Sequence, residues 1–167
     1  ESELLSALAE SALSRAEACP RIDAAVERAV EARKGGARVA VVSGTEATAD
    51  VLQTLLDGRL GETVLRISAA SPFSATEFND AKGGAVLVFG PVGEEGQNLQ
   101  AADVVIHLDL PWDPNRLEQR LGRFDRFGAG APCEHFVFQD DVDSPANAWF
   151  ELLSEGFEIF SGSIASL

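Results

Sequence analysis

Apolar and polar positions along this chain switch between a helical period and continuous apolar runs, and each switch marks an element. Leu4, Leu8 and Ser11 to Leu13 recur at helical spacing in an Ala-rich stretch from Glu1 to Cys19, which Pro20 closes. Ile22, Val26, Ala29 and Val30 share one face of a second predicted helix, Ile22 to Lys34, stopped by Gly35-Gly36. At Arg38-Val39-Ala40-Val41-Val42 the pattern becomes a β-branched run, which predicts a strand. Ser43-Gly44-Thr45 turns the chain, and Val51, Leu52, Leu55 and Leu56 restore helical spacing over Thr48 to Leu56. Further strands are predicted at Thr63 to Ile67, Ala85 to Phe89, Asp103 to Leu108 and His135 to Phe138, with a short helix near Ser74 to Asn79. Asp113 supplies an N-cap and Pro114 a first helical residue for a helix predicted to reach about Phe127, before Gly128 and Gly130. An acidic loop, Asp140 to Pro145, leads to a last amphipathic helix, Ala146 to Leu153, and a Gly/Ser-rich tail.

Strands alternating with helices at this spacing imply right-handed βαβ units and a parallel sheet covered on both faces, so the fold class is α/β, doubly wound. Nearly continuous apolar strands are what such burial demands. The expected organisation is a helical extension over 1–36, a sheet domain over 37–139, and a C-terminal helix and tail over 140–167.

Composition narrows this picture. A length of 167 residues suits one α/β domain and is too short for two nucleotide-binding lobes. Apolar residues make up 46% and charged residues 24%, an ordinary globular balance. No apolar run approaches the roughly 18 residues of a membrane span, and Glu1 opens no secretory signal, so the expectation is a soluble, cytoplasmic protein with no membrane partner. The absence of Met and Tyr and the abrupt Glu1-Ser2-Glu3 start fit a fragment of a longer chain. Cys19 and Cys133 lack metal or redox spacing and are expected as small buried hydrophobes, with no metal site. Net charge is -14, which opposes a phosphate backbone, so any nucleic-acid contact must be local.

Against that acidity, Arg116, Arg120, Arg123 and Arg126 lie at helical spacing along one helix. Leu117, Leu121 and Phe124 share the spacing about 100° further round and are expected to pack on the sheet while the arginines project outward. An arginine column at such spacing repels itself and wants anions, for which planar guanidinium groups suit phosphate. On charge pattern alone, the negative surface of the same domain satisfies the column equally well.

The run Gly93-Glu94-Glu95-Gly96-Gln97-Asn98-Leu99-Gln100-Ala101-Ala102-Asp103-Val104-Val105-Ile106, then Asp109-Leu110-Pro111-Trp112-Asp113-Pro114, then Leu117-Glu118-Gln119-Arg120-Leu121-Gly122-Arg123-Phe124-Asp125-Arg126-Phe127-Gly128 resembles helicase motifs V and VI of Swi/Snf-type ATPases. Ser43-Gly44-Thr45 resembles motif IV, and Arg66-Ile67 with Phe78-Asn79 the segment between, so the resemblance covers about Arg38 to Phe138. It implies the second RecA-like lobe of a helicase or translocase. In such lobes the arginines matching Arg123 and Arg126 are fingers that reach the γ-phosphate of ATP held by a first lobe, where fixed cationic donors stabilise developing charge. Gln119, Arg120, Gly96 and Asn98 match positions that sense or bind nucleotide, and Ser43 and Thr45 match positions that touch nucleic-acid backbone. For Ser43 and Thr45 a helix cap is the plainer reading.

The chain contains neither a GxxxxGK[ST] loop nor an Asp-Glu pair in strand context. ATP and Mg2+ are therefore expected to be held mainly by the first lobe, which is the implied partner, and the fragment alone is expected to be inactive. The resemblance favours duplex DNA over RNA as the strand partner. The tail from Ala148 to Phe160 is similar to bacterial members related to the RNA-polymerase-associated ATPase, or to defence and DNA-modification helicases. Departures from the pattern are Pro91-Val92 before Gly93, Glu94 in place of a common Gly, and Ser68 to Glu77 without the customary glycine and arginine. These departures and the acidic surface leave a second reading, a catalytically silent lobe used as a protein-interaction platform. His107 and His135 are expected as core or strand-edge residues, and Trp112 as a packing anchor.

Overall fold

The computed structural model describes residues 19–62, 64–69, 75–94, 98–124, 133–140, 144–156 and 164–166. Six strands form one parallel sheet: β1 (Arg38–Val42), β2 (Leu65–Ile67), β3 (Ala85–Phe89), β4 (Val104–His107), β5 (Glu134–Val137) and β6 (Ile164–Ser166), in the order β2-β3-β1-β4-β5-β6. The helices are α1 (Pro20–Lys34), α2 (Glu46–Leu60), α3 (Ala75–Asn79), α4 (Pro114–Gly122) and α5 (Pro145–Glu151). Central β1 lies between β3 and β4, with Val39 opposite Val86 on one side and Val104 on the other.

The pleat of β1 explains why its sequence is apolar throughout. Val39 and Val41 face Ile22, Val26 and Ala29 of α1 and Leu52 and Leu56 of α2, while Ala40 and Val42 face a second core of Phe78, Leu87, Phe89, Leu99 and Phe124. Both strand faces are therefore dry, as the predicted doubly wound α/β fold requires. Thr45 caps α2 by accepting from Thr48 N at 3.1 Å, and Gly61 closes it in the left-handed region at φ 66. Asp113 caps α4 and Ser144 caps α5 in the same way.

Four differences from the sequence expectations have physical reasons. The helix expected to run to about Phe127 ends at Gly122, with Arg123 and Phe124 in a turn: their amides donate back to the carbonyls of Arg120 and Leu121, and the Arg123 carbonyl accepts from Leu99 N in the segment before β4. Beyond Glu151 the last helix loosens into a π-type turn, Leu152–Gly156. The tail holds a strand where the sequence reading gives only a Gly/Ser-rich tail: β6 adds to β5, with His135 opposite Ile164. Cys19 and Cys133 are partly exposed rather than buried. The first predicted helical stretch, Glu1 to Cys19, lies outside the described residues except for Cys19.

Candidate functional site

Three loops leave the carboxyl ends of β1, β3 and β4 side by side, and the chain crosses from one side of β1 to the other between β3 and β4. Open α/β sheets bind ligands in the crevice at such a crossing. Motif IV, the turn Ser43-Gly44-Thr45, follows β1; a 3-10 turn, Pro91–Glu94, opens the motif V segment after β3; Asp109 and the motif VI helix α4 follow β4.

A polar arc joins the three. Gly44 N donates to Asp109 Oδ2 at 2.7 Å, and a Cβ at Gly44 would come within 2.8 Å of that carboxylate, so only glycine lets Asp109 approach. The Asp109 carbonyl accepts from Arg120 Nη1 at 2.9 Å. Arg120 also donates to Glu94 Oε1, and Arg116 Nε donates to Glu94 Oε2 at 2.6 Å. On the far side of the turn, Val92 N donates to Glu46 Oε1 at 2.9 Å, and Arg66 Nη2 holds the other oxygen of Glu46 at 2.7 Å. A cavity of about 360 Å³ opens between the turn and α4, lined by Pro91, Glu94, Asn115, Arg116, Gln119 and Arg120.

The arginine column does not behave as one face. Arg120 is 1% exposed and lies beneath the helix, so the expectation that all the arginines project outward is corrected at this position. Burial lowers its pKa from the ordinary arginine value, and the adjacent Glu94 carboxylate opposes that shift. Its guanidinium is held by groups of the same domain, which makes it a poor candidate for direct nucleotide contact. Arg116 is half-exposed and Gln119 exposed at the mouth of the cavity. Arg123 is half-buried at the end of α4, where its carbonyl accepts from Leu99 N at 3.0 Å, a direct backbone link from motif V to motif VI. Leu117 and Phe124 are fully buried, as the apolar stripe predicts, and Leu121 is half-buried. Arg126 and Gly96 lie outside the described residues.

Asn98 is exposed, with its side chain accepting from Gln100 N at 3.1 Å in an Asx turn. Ser43 is fully buried and its hydroxyl donates to the Thr45 carbonyl at 2.8 Å, which turns it away from any strand; Thr45 is exposed but serves as the cap of α2. The plainer helix-cap reading thus accounts for Thr45, and the backbone-contact expectation for Ser43 is not supported by its burial. Trp112 rests on Trp149 at 5.6 Å between ring centroids yet is 66% exposed, and Trp149 Nε1 donates to the Pro111 carbonyl at 3.0 Å.

Behind the arc, His107 Nε2 and His135 Nδ1 are 3.0 Å apart across β4 and β5. Burial, reinforced by His135 and then by Arg120, pulls the His107 pKa well below the ordinary histidine range, so His107 is neutral in the fold. Sequence reasoning missed the part played by Glu94. The sequence carried half of the signal, an acid in place of a common Gly; that it faces two arginines one helical turn apart is a tertiary contact.

A parallel sheet in this order, with an arginine-bearing helix at its carboxyl edge, defines the RecA-like lobe of helicase-type proteins. The chain belongs to the helicase conserved C-terminal domain family, whose profile matches residues 21–128. It is similar to the RNA polymerase-associated protein RapA of Vibrio campbellii, 31% identical over 152 residues, 84% of this chain and 15% of that protein. RapA of Pseudomonas putida is 38% identical over 96 residues, 57% of this chain and 10% of its own length. The chain thus spans a small part of these relatives. Among solved structures, the C-terminal part of the Fun30 ATPase domain superposes with a TM-score of 0.58 at 20% identity, covering 69% of this chain and 39% of that one. Domain 2 of the DEAD-box helicase Mss116p, bound to an RNA duplex, gives 0.61 at 15% identity, covering 95% and 60%. These two likenesses support the fold. The family match and the RapA relatives bear out the motif resemblance to the C-terminal lobe of a helicase.

Proposed function

We propose that this lobe is the second half of a nucleic-acid-dependent ATPase and translocase, and that Arg123 and Arg126 act as fingers on the γ-phosphate of ATP. The nucleotide and Mg2+ are held by a first RecA-like lobe of the same protein, with Gln119 and Asn98 at the edge of the shared cleft. The observation that carries this reading is the position of Arg123: at the carboxyl edge of the sheet, on the end of α4, with its carbonyl bonded to the motif V amide of Leu99. A finger carried on a backbone anchored in this way needs less reorganisation to meet developing charge, which is the source of its catalytic effect. Duplex DNA is the strand we assign to the motor, and RNA polymerase is a partner by likeness to RapA, in a bacterial cytoplasm.

The test is Arg123→Lys in the protein carrying both lobes. An ammonium keeps the charge but cannot copy the bidentate fork, so turnover falls by about 10³ while KM for ATP moves little, because the contact strengthens chiefly in the transition state. Turnover equal to that of the unaltered protein would remove the assignment and favour an interaction platform.

A further inference from the structure

The Pro91–Glu94 turn is pinned from two directions. Glu46, itself locked by Arg66, holds the Val92 amide from the α2 side, and from the α4 side two guanidiniums converge on Glu94. Glu94 is only 7% exposed, and each of its carboxylate oxygens is committed to a different arginine: Oε1 to Arg120 and Oε2 to Arg116, one helical turn apart. A carboxylate split in this way fixes both the distance and the rotation of α4 relative to the turn, because sliding or turning the helix breaks one charge-assisted bond before the other. Buried ion pairs contribute little to net stability against apolar packing, and their best-attested service is to fix register. The far end of the helix is fixed independently, by Leu99 N on the carbonyl of Arg123. Motif V therefore grips α4 at both ends, once by charge through Glu94 and once by backbone.

We infer that Glu94 is a positioning residue that ties the Pro91–Glu94 turn to the finger helix, so that a displacement of the turn on strand binding is transmitted to Arg123 through Arg116 and Arg120. This rests on the second-lobe reading above. Glu94 acts through the two arginines that hold its oxygens: a shift of the Pro91–Glu94 turn is passed to α4 as a rigid body through two salt bridges, and α4 carries Arg123 with it. An acid at this position, unlike the common glycine of the motif, gives motif V a lever on the helix.

The experiment compares turnover with and without duplex DNA in the two-lobed protein for Glu94→Gln, Arg116→Ala and Arg123→Ala. A group that merely holds the fold together changes the active fraction, which scales both rates and leaves their ratio untouched. A coupling residue lowers the ratio itself. The expected result for Glu94→Gln is a loss of stimulation of about fivefold or more, the lower end of ordinary coupling between sites, with KM for ATP within about twofold. Arg116→Ala removes only the half-exposed arm of the pair, so it folds, and it lowers the ratio in the same direction by a smaller factor. If Glu94→Gln proves insoluble, the ratio in Arg116→Ala decides. An unchanged ratio in the folded variant, with Arg123→Ala still abolishing stimulated turnover, overturns this inference and leaves the second-lobe reading standing. Stimulated turnover that survives Arg123→Ala removes the second-lobe reading and this inference with it.

Discussion

Arg116 and Arg120 are neighbours on one helix and share one carboxylate, yet their surroundings assign them opposite energetic weights. Arg120 is enclosed, and truncating it would leave Glu94 buried beside a single, half-exposed partner. Arg120→Ala is therefore expected to destabilise the fold by about 3–5 kcal/mol, the usual cost of breaking a buried pair from one side. Arg116→Ala, whose charge remains largely in water, is expected to cost at most about 1 kcal/mol. Thermal or denaturant unfolding of the two variants side by side measures the contrast, and equal losses would show that Arg120 is better solvated than its burial indicates.

At the scale of elements, the pairing of β4 with β5 carries a pH dependence. His107 is held neutral within the sheet, whereas in the unfolded chain it titrates near 6.5. Below that pH the unfolded state binds a proton that the folded state refuses, so stability falls as pH drops, by at most about 1.4 kcal/mol per pH unit for this one group. Above about pH 7 neither state carries the proton and the effect vanishes. His107→Leu is expected to flatten the difference in unfolding midpoint between pH 7.5 and pH 5.0; an unchanged difference would place the acid sensitivity elsewhere, in the carboxylates. The same elements show what the sequence could convey. Continuous apolar runs located β1, β3 and β4 because both of their faces are dry, and Asp113-Pro114 located the start of α4 because a cap is a local device. The end of α4 was not legible, since it is set by the bond from Leu99 N to the Arg123 carbonyl, a tertiary contact no spacing reveals. Arg120 misled for a related reason: helical spacing gives an angle about the axis, and only the partner across the gap, Glu94, decides that the guanidinium turns inward. Strand β6 escaped notice because a short strand in a Gly/Ser-rich context takes its conformation from the free edge of β5.

For the whole molecule, charge sets the terms on which nucleic acid is met. A net charge of -14 repels a duplex, and the cations of the site are largely engaged, Arg116 and Arg120 by Glu94 and Arg66 by Glu46 and Asp50. The lobe on its own is expected to bind duplex DNA weakly, with an affinity that falls steeply between 50 mM and 200 mM salt, and to hydrolyse ATP at background rate. Titration of labelled duplex at the two salt concentrations, alongside a phosphate-release assay with Arg123→Ala as the contamination control, checks both. Tight binding at physiological salt would contradict the charge argument, and robust turnover would contradict the assignment of ATP to a first lobe. No helix among the described residues is long and apolar enough to cross a membrane.

The place of β1 at the middle of the sheet also bears on how the chain is made. Synthesis delivers β1 before the other strands of the sheet, but its two neighbours are β3 and β4, and β2 does not touch it. Until the ribosome has released Ala85–Phe89, the Val39–Val42 backbone has no strand to pair with, and until Val104–His107 follows, one of its edges stays bare. Helices α1 and α2 can cover only one face of that strand in the interval, leaving Ala40 and Val42 open to other chains. The nascent lobe thus passes through a stage in which an apolar strand is a bare template for aggregation, and the later crossing of the chain over β1 is what ends it.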